Sequence, residues 1–517
     1  MASGNAAAPA DITARLLGPF PFRSFSCILW SSPTSSDPRK PRQIMRTEYI
    51  IFLVLFNAAV LAVAETSRAN DQTASPVMSE PNQYLSPTVA NRQGFRPDGF
   101  YLDWPWGTEG LSGNWGGTRG WLQNHGIRIG AQYTSISMVN MRGGIDQGYY
   151  GGAPLQLTFT ADLERLAGIP GATFFVDWEY FSWYNSRYEP SGSRDPTGSY
   201  VGDNTNLIDG NASVLNQIAQ VYWNQELLDG QLALQFGKMD VNASFAAVGA
   251  AGAFQNSIAM FTSTLNPFMS TYPNETTGLQ VVAEPIENVT TKIGWFDGTT
   301  AALNPRTGQQ GPATGGRGPS TFFDNDGHWF LIAEANLSWE IDPTRPGTAG
   351  AGMWLQTGTS ATDGTSTTGV HDVPGFYLQA TQTLWTETPW LAERGGGVRL
   401  FGQFGWSDAD KNPVHWSMMA GISATGVIPK RPADAIGLLG AHSRFSDDPE
   451  VFQSRTRAGL PGPSGGTESS IEAFYLLQIL PWLYIQPGLQ WIATPGAGDP
   501  APLDNAMQAY LLVAIEL

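Results

Sequence analysis

Charged and amide side chains on this chain recur an even number of residues apart. Arg128 is followed by Gln132, Asp162 by Glu164, Asp177 by Glu179, Glu334 by Glu340 and Arg399 by Gln403, with Gln220 and Glu472 in similar surroundings. Even spacing puts the members of each pair on one face of an extended chain. Carboxylates, guanidinium groups and amides hydrogen-bond hydroxyls, and the rings of the 18 Trp and 16 Tyr can stack on the apolar face of a sugar. The set therefore suits small carbohydrates. Two other readings use the same residues. A water-filled lumen needs polar lining whatever passes through it, and a secreted hydrolase would set two carboxylates across a glycosidic bond.

Other chemistry is harder to assemble. The histidines His125, His328, His371, His415 and His442 match no zinc spacing. "GPSGG" at 462–466 fits G-x-S-x-G, but that elbow joins a strand to a helix, and Ser464 sits beside Pro461 and Pro463 in a glycine-rich run. "DNDG" at 324–327 opens like a calcium loop but lacks the later Glu. No catalytic residue, metal or cofactor is expected. The single cysteine, Cys27, falls in a segment argued below to be absent from the mature chain, which leaves no disulfide and no thiolate site. With 45 acidic against 28 basic residues the net charge is −17. Nucleic acid is a poor partner for that surface, because its binding draws on Lys and Arg. The same charge favours neutral or cationic solutes over anions.

The elements that must position these groups show period 2. In "PWLYIQPGLQWIAT", Leu483, Ile485, Pro487, Leu489 and Trp491 form one face, and Trp482, Tyr484, Gln486, Gly488 and Gln490 the other. The last segment sets Leu511, Val513, Ile515 and Leu517 against Gln508, Tyr510 and Glu516. About 16 such segments are legible. Their cores lie near 127–137, 154–165, 172–183, 214–226, 230–240, 276–284, 288–298, 329–341, 350–360, 374–385, 397–407, 414–426, 434–443, 469–480, 482–492 and 506–517. A soluble sandwich would bury the apolar faces, whereas a transmembrane barrel would turn them to lipid and the polar faces to a lumen. Strand length favours the barrel, since crossing the hydrocarbon takes about 9–11 tilted residues. Aromatics near segment ends (Tyr180, Trp183, Tyr184, Trp295, Trp329, Trp339, Trp385, Trp406, Trp482, Trp491) suit interfacial girdles. The fold expected is all-β, an antiparallel transmembrane barrel of about 16 strands, with an inward-folded loop.

That loop is the stretch 242–278, too long for an ordinary connection and too rich in Ala, Phe and Met to stay solvated. It is expected to narrow the pore, with Lys238 and Asp240 at its root joining the candidate solute contacts. The stretches 193–200 and 306–320 read as exposed loops.

"MRTEYIIFLVLFNAAVLAVAET" begins at Met45 and has a basic residue, a short apolar core and Ala62-Val63-Ala64 before Glu65. Those are the parts of a cleaved secretory signal. The organisation expected is an over-called leader at 1–44, a signal peptide at 45–64, a linker at 65–109 and a barrel at 110–517, placed in a bacterial outer membrane.

Three blocks carry a family resemblance. "LSGNWGGTRGWLQNHGIRIG" supplies Trp115, Gly116, Gly117, Arg119, Gly126 and Ile127; "LALQFGKMDVNASFA" supplies Gly237, Lys238, Asp240, Asn242 and Phe245. "YIQPGLQWIATPGAG" supplies Gln486, Pro487, Gln490, Pro495 and Gly496, with Thr494 where Asn is usual. Together they resemble the carbohydrate-selective porin family of bacterial outer membranes, the OprB type. The resemblance implies a 16-stranded barrel with a short N-terminal helical segment, passing small sugars by passive diffusion, with outer-membrane lipid and the barrel-assembly machinery as partners. A general porin, or a secreted all-β glycan-binding protein or glycoside hydrolase, is the alternative.

Overall fold

The computed structural model describes residues 110–184, 200–203, 215–272, 275–298, 320–323, 327–358, 372–388, 396–448, 451, 465–498 and 502–516. The leader, signal and linker at 1–109 lie outside these residues, as do Ser464, Leu517, most of both stretches read as exposed loops, and most of "DNDG".

Sixteen antiparallel strands, each paired with its neighbours in sequence, close into a barrel when β1 (Ile127–Arg142) meets β16 (Ala506–Glu516). Every segment read from period 2 is a strand, and the alternation decides which way side chains point. Leu511 is 44% exposed on the outer wall while Gln508, Tyr510 and Leu512 are buried inside. Leu378, Leu400, Leu438 and Leu489 continue the outer apolar band. Among the described residues no helix is long and apolar enough to cross a membrane. Arg in place of Leu511 or Val513 should cost about 2–4 kcal/mol near mid-membrane. Denaturant titration in detergent or bilayer checks this, and unchanged midpoints for both variants would mean the faces are assigned wrongly.

The two ends differ. Several turns at the end holding both ends of the sheet are tight: β6 (Thr276–Ile286) reaches β7 (Val289–Asp297) through Glu287 and Asn288, the latter at φ 65. At that end α1 (Thr118–Asn124) packs on β1, and Leu111 N donates to Glu516 O at 2.8 Å. The Trp-Gly-Gly-x-Arg block is structural there. Gly116 and Gly117 turn the chain through positive φ, and Arg119 lies 5.3 Å over the Trp115 ring while donating to Gly113 O and Ile129 O. The long connections occupy the opposite end.

Four sequence expectations change. Glu164 does not continue a strand: β2 (Gly148–Asp162) ends at Asp162, which caps α2 (Leu163–Ala167) through Arg165 N and pairs with Arg165 at 3.0 Å. Asp162 therefore closes β2 and Glu164 belongs to the turn. Trp482, read as a girdle residue, is buried. The side chains of Trp183 and Tyr184 lie outside the described residues. In β4 (Leu215–Leu227) the register against β3 (Ala172–Tyr184) slips between Asp177 and Trp178, leaving Ala219 without a partner. One extra residue inverts the alternation, so Ile218 is 52% exposed outside and Gln220 only 5% exposed inside.

The fourth change concerns the lumen. Its wall is not polar throughout. Phe175, Tyr222, Phe296, Phe330, Trp354 and Tyr377 line one side, and Phe401, Met419, Leu439, Phe474, Tyr510 and Leu512 the other. Both patches are buried, because the connection from β5 (Leu232–Met239) to β6 lies over them.

Candidate pore constriction

The site starts from a strand end that must turn inward. Gly237 sits at φ +137, and a Cβ there would lie 2.3 Å from Val221 O and 2.7 Å from Tyr222 Cα. Only glycine fits that close approach at that φ. Next to it, Lys238 Nζ donates to Ile218 O at 2.7 Å, Asp240 N donates to Gln220 Oε1, and Asp240 Oδ1 accepts from Asn242 N. These contacts fix the direction in which the chain leaves the wall.

Residues 240–275 then run out along the inner wall and return. Ser244 meets β6 and β7, where Gln280 Nε2 donates to its Oγ at 2.9 Å and Lys292 Nζ to its carbonyl at 2.6 Å. Ala246 N donates to Glu334 Oε2 at 2.8 Å on β8 (Trp329–Glu340), and Ala246 O accepts from Gln403 Nε2 at 2.7 Å on β11 (Gly397–Ser407). At the tip, Ala253 O accepts from Gln486 Nε2 at 2.7 Å on β15 (Leu483–Ala493). Gln255 N and Asn256 N donate to the two oxygens of Glu472 at 2.7 and 2.8 Å on β14 (Gly466–Leu480). On the way back Thr262 Oγ1 meets Ser417 Oγ at 2.7 Å on β12 (Val414–Thr425). Thr262 comes this close because a Cβ on Gly405 would stand 1.9 Å from its hydroxyl.

Apolar packing follows the same path. Phe245 is buried edge-on against Phe296 at 6.1 Å, Phe268 lies 5.5 Å from Trp354, and Phe254 contacts Phe401 and Phe474 at 5.8 and 4.8 Å. The limbs are tied by Asn242 Nδ2, which donates to Phe245 O and Met260 O, and by Val241 N to Ser270 O. The inward excursion read from length and composition is thus present, bounded at 240–275 by the ends of β5 and β6.

The candidate solute contacts separate into groups. Glu334 and Gln403 hold the loop, as do Glu472 and Gln486, while Gln490 Nε2 donates to Glu472 at 3.1 Å. Pro487 points outward where the β14–β15 ladder skips it, so its missing N–H costs nothing there. Arg128, Asp162, Glu164 and Glu340 lie at the end that carries the short turns. Arg399 faces the lumen beyond the loop. Sequence reading missed Lys292, Ser417 and Tyr377. The first two sit on segments read as strands, but only the loop's path shows what they meet.

A second cluster lies at the roots of the loop. Asp177 and Glu179 on β3 are buried near Asp240, Glu275 and Lys238. Among the described residues both oxygens of Glu179 and of Glu275 lack hydrogen-bond partners, as does Asp177 Oδ1. Burial pushes the Glu275 carboxyl up to about 8, helped by the negative Asp240 and opposed by Lys238. It likewise pushes Asp240 up to about 6, against hydrogen bonds from Thr271 and the N–H groups of Asn242, Tyr272 and Ala243. Raised carboxyl values mean that the folded root holds protons which the unfolded chain has released. Stability from this cluster is therefore complete below about pH 4, falls as pH rises through 6 and 8, and stays low above. Hydrogen exchange at the amides of residues 240–243 should speed up between pH 5 and 9 beyond the intrinsic base-catalysed trend. A protection factor that stays flat would refute this. Among the described residues no group of three His, Cys, Asp or Glu is placed to hold a metal ion.

Residues 146–512 match the sequence model of the "Carbohydrate-selective porin, OprB family". Porin B of Pseudomonas aeruginosa is 22% identical over 436 residues, spanning 78% of this chain and 90% of that protein. The high-pH structure of Pseudomonas putida OprB aligns at a TM-score of 0.64 and 20% identity, covering 79% of this chain and 98% of that one. At that identity the likeness is one of fold.

Proposed function

This chain belongs to the carbohydrate-selective porin, OprB, family, and from that premise we propose that small sugars diffuse through its barrel past the loop of residues 240–275. The observation that carries the reading is the anchoring of that loop. Glu334, Gln403, Ser417, Glu472 and Gln486, on five different strands, bind it to the inner wall. A loop fixed at so many points narrows the lumen without sliding along it. Passage driven only by a concentration difference needs no cofactor and no energy source.

The carboxylates favour a channel over a hydrolase. Glu334 and Glu472 each accept from loop amides and a tyrosine hydroxyl, which leaves neither placed as a free general acid. Single-channel recording in planar bilayers tests the reading. Ohmic pores whose current falls as neutral sugars are added support it, and purified protein that forms no pores would sink it.

The apolar outer wall fits outer-membrane lipid, and the alternating last strand is the feature through which barrel-assembly machinery would act on it. Export would remove the segment ending at Ala64. N-terminal sequencing of the membrane-inserted protein should then begin at or near Glu65, and residues 1–44 on that protein would show the assignment to be wrong.

A further inference from the structure

We propose that Arg399 and Ser423 form a subsite on the lumen wall that takes the carboxylate of an acidic sugar, a uronate or an aldonate, during passage. The proposal rests on the channel reading above and adds a solute class to it.

The two residues face each other across the β11–β12 ladder, with Thr383 opposite Arg399 on β10 (Val373–Trp385). All three point inward, because Leu384, Leu400 and Ile422 beside them are exposed on the outer wall. Directly opposed residues of an antiparallel pair hold their Cβ atoms about 4.5–5.5 Å apart, close enough for one small group to meet both side chains. Among the described residues neither Arg399 Nε nor Ser423 Oγ has a hydrogen-bond partner, though both atoms are buried. None of the ion pairs among those residues includes Arg399.

Two carboxylates elsewhere on the wall are already engaged. Glu334 has Lys292, Asn336, Tyr377 and Ala246 N; Glu472 has Gln255 N, Asn256 N, Tyr510 and Gln490. Arg399 is part-exposed on the wall and is left to meet whatever passes, with the Ser423 hydroxyl beside it. A guanidinium carries only donors, in a planar fork whose spacing matches a carboxylate. The serine hydroxyl adds one more donor. A neutral hydroxyl would satisfy one N–H at a time and leave the desolvated charge unmatched. Along the same row, Ser423 pairs with Gly437 and Gly437 with Phe474, and Phe254 at the loop tip reaches to 2.6 Å from where a Gly437 Cβ would be. Phe254 and Phe474 are buried against each other there, so the loop tip bounds the subsite on that side. The chain's net charge of −17 disfavours anions overall, so an uncompensated arginine on the pore wall is the local feature that would select them.

The test compares glucose with glucuronate as blockers of single-channel current through the full mature protein. Wild type should be blocked by glucuronate at about tenfold lower concentration than by glucose, the margin of one charge-assisted contact. In Arg399→Gln that ratio should fall towards one. Arg399→Lys, which keeps the charge but loses the fork, should fall between. Ser423→Ala should lower the ratio without removing it, and it guards against an Arg399 variant that fails to assemble. Equal block by the two sugars in wild type, or a ratio unchanged in both Arg399→Gln and Ser423→Ala, would overturn the proposal. Wild type blocked by neither sugar would instead count against the channel reading itself.

Discussion

Removing residues 243–270 and joining the ends with a short glycine link should give a pore that conducts several times more current and barely distinguishes sugars. The ends already adjoin, since Val241 N donates to Ser270 O at 3.1 Å, so the excision need not strain β5 or β6. What it does is uncover the wall. Phe401, Phe474 and Leu439 on one side and Phe330, Trp354 and Tyr377 on the other would face lumen water. Exposing each such side chain costs about 1.5–3 kcal/mol, so the shortened barrel should melt at a lower temperature even though its strand ladder is closed. The cost is the physical reason the loop stays inside. Its own Ala, Phe and Met residues and the apolar wall patches cover one another, and neither surface is stable alone. Conductance and sugar block in planar bilayers, with heat-modifiability on gels as proof of assembly, measure both halves. An assembled variant with wild-type conductance would place the narrowest part of the pore elsewhere.

How much of this was legible follows from what a repeat of two residues can encode. Leu511 against Gln508, or Leu489 against Gln490, differ enough in polarity to assign a face, so strand number and orientation could be read directly. The same logic fails for part of β4, where Ala219 inserts without any mark in composition, so that Ile218 turns outward although Gln220 faces inward as read. It fails again on the inner wall. Leu439, Leu512 and Phe401 point into the lumen, and their apolarity makes sense only once the loop is known to lie over them. Length and composition showed that residues 242–278 would turn inward, but not which strands they would reach. Glu334 and Gln403 were thus read as solute contacts although they hold Ala246. The Gly-Lys-x-Asp-x-Asn-x-x-Phe block is plain in the sequence, and its role as a hinge appears only through Gly237 at φ +137 and the Lys238 contact to Ile218 O.

Of the point substitutions on the wall, Glu472→Ala should disturb the pore most. Its carboxylate accepts from Gln255 N at 2.7 Å, Asn256 N at 2.8 Å, Tyr510 Oη at 2.7 Å and Gln490 Nε2 at 3.1 Å. Alanine leaves four buried donors without that acceptor, a loss of about 3–5 kcal/mol at the tip of the loop. Glu472→Gln returns one acceptor oxygen but points an NH2 at other donors, so it should recover only part of that loss. Glu334→Ala acts on the outgoing limb instead, leaving Ala246 N only the Tyr377 hydroxyl, removing the acceptor of that hydroxyl and stranding Lys292 beside Ser244 O. Because both carboxylates restrain the same loop, the double variant should cost less than the sum of the two. Single-channel current through Glu472→Ala should flicker between levels that wild type does not visit. Hydrogen exchange at Gln255 and Asn256 should rise by at least about tenfold, the rate equivalent of about 1.4 kcal/mol of local opening. Wild-type protection at those two amides in Glu472→Ala would mean that the tip is held by Phe254 between Phe401 and Phe474, with the carboxylate merely adjacent.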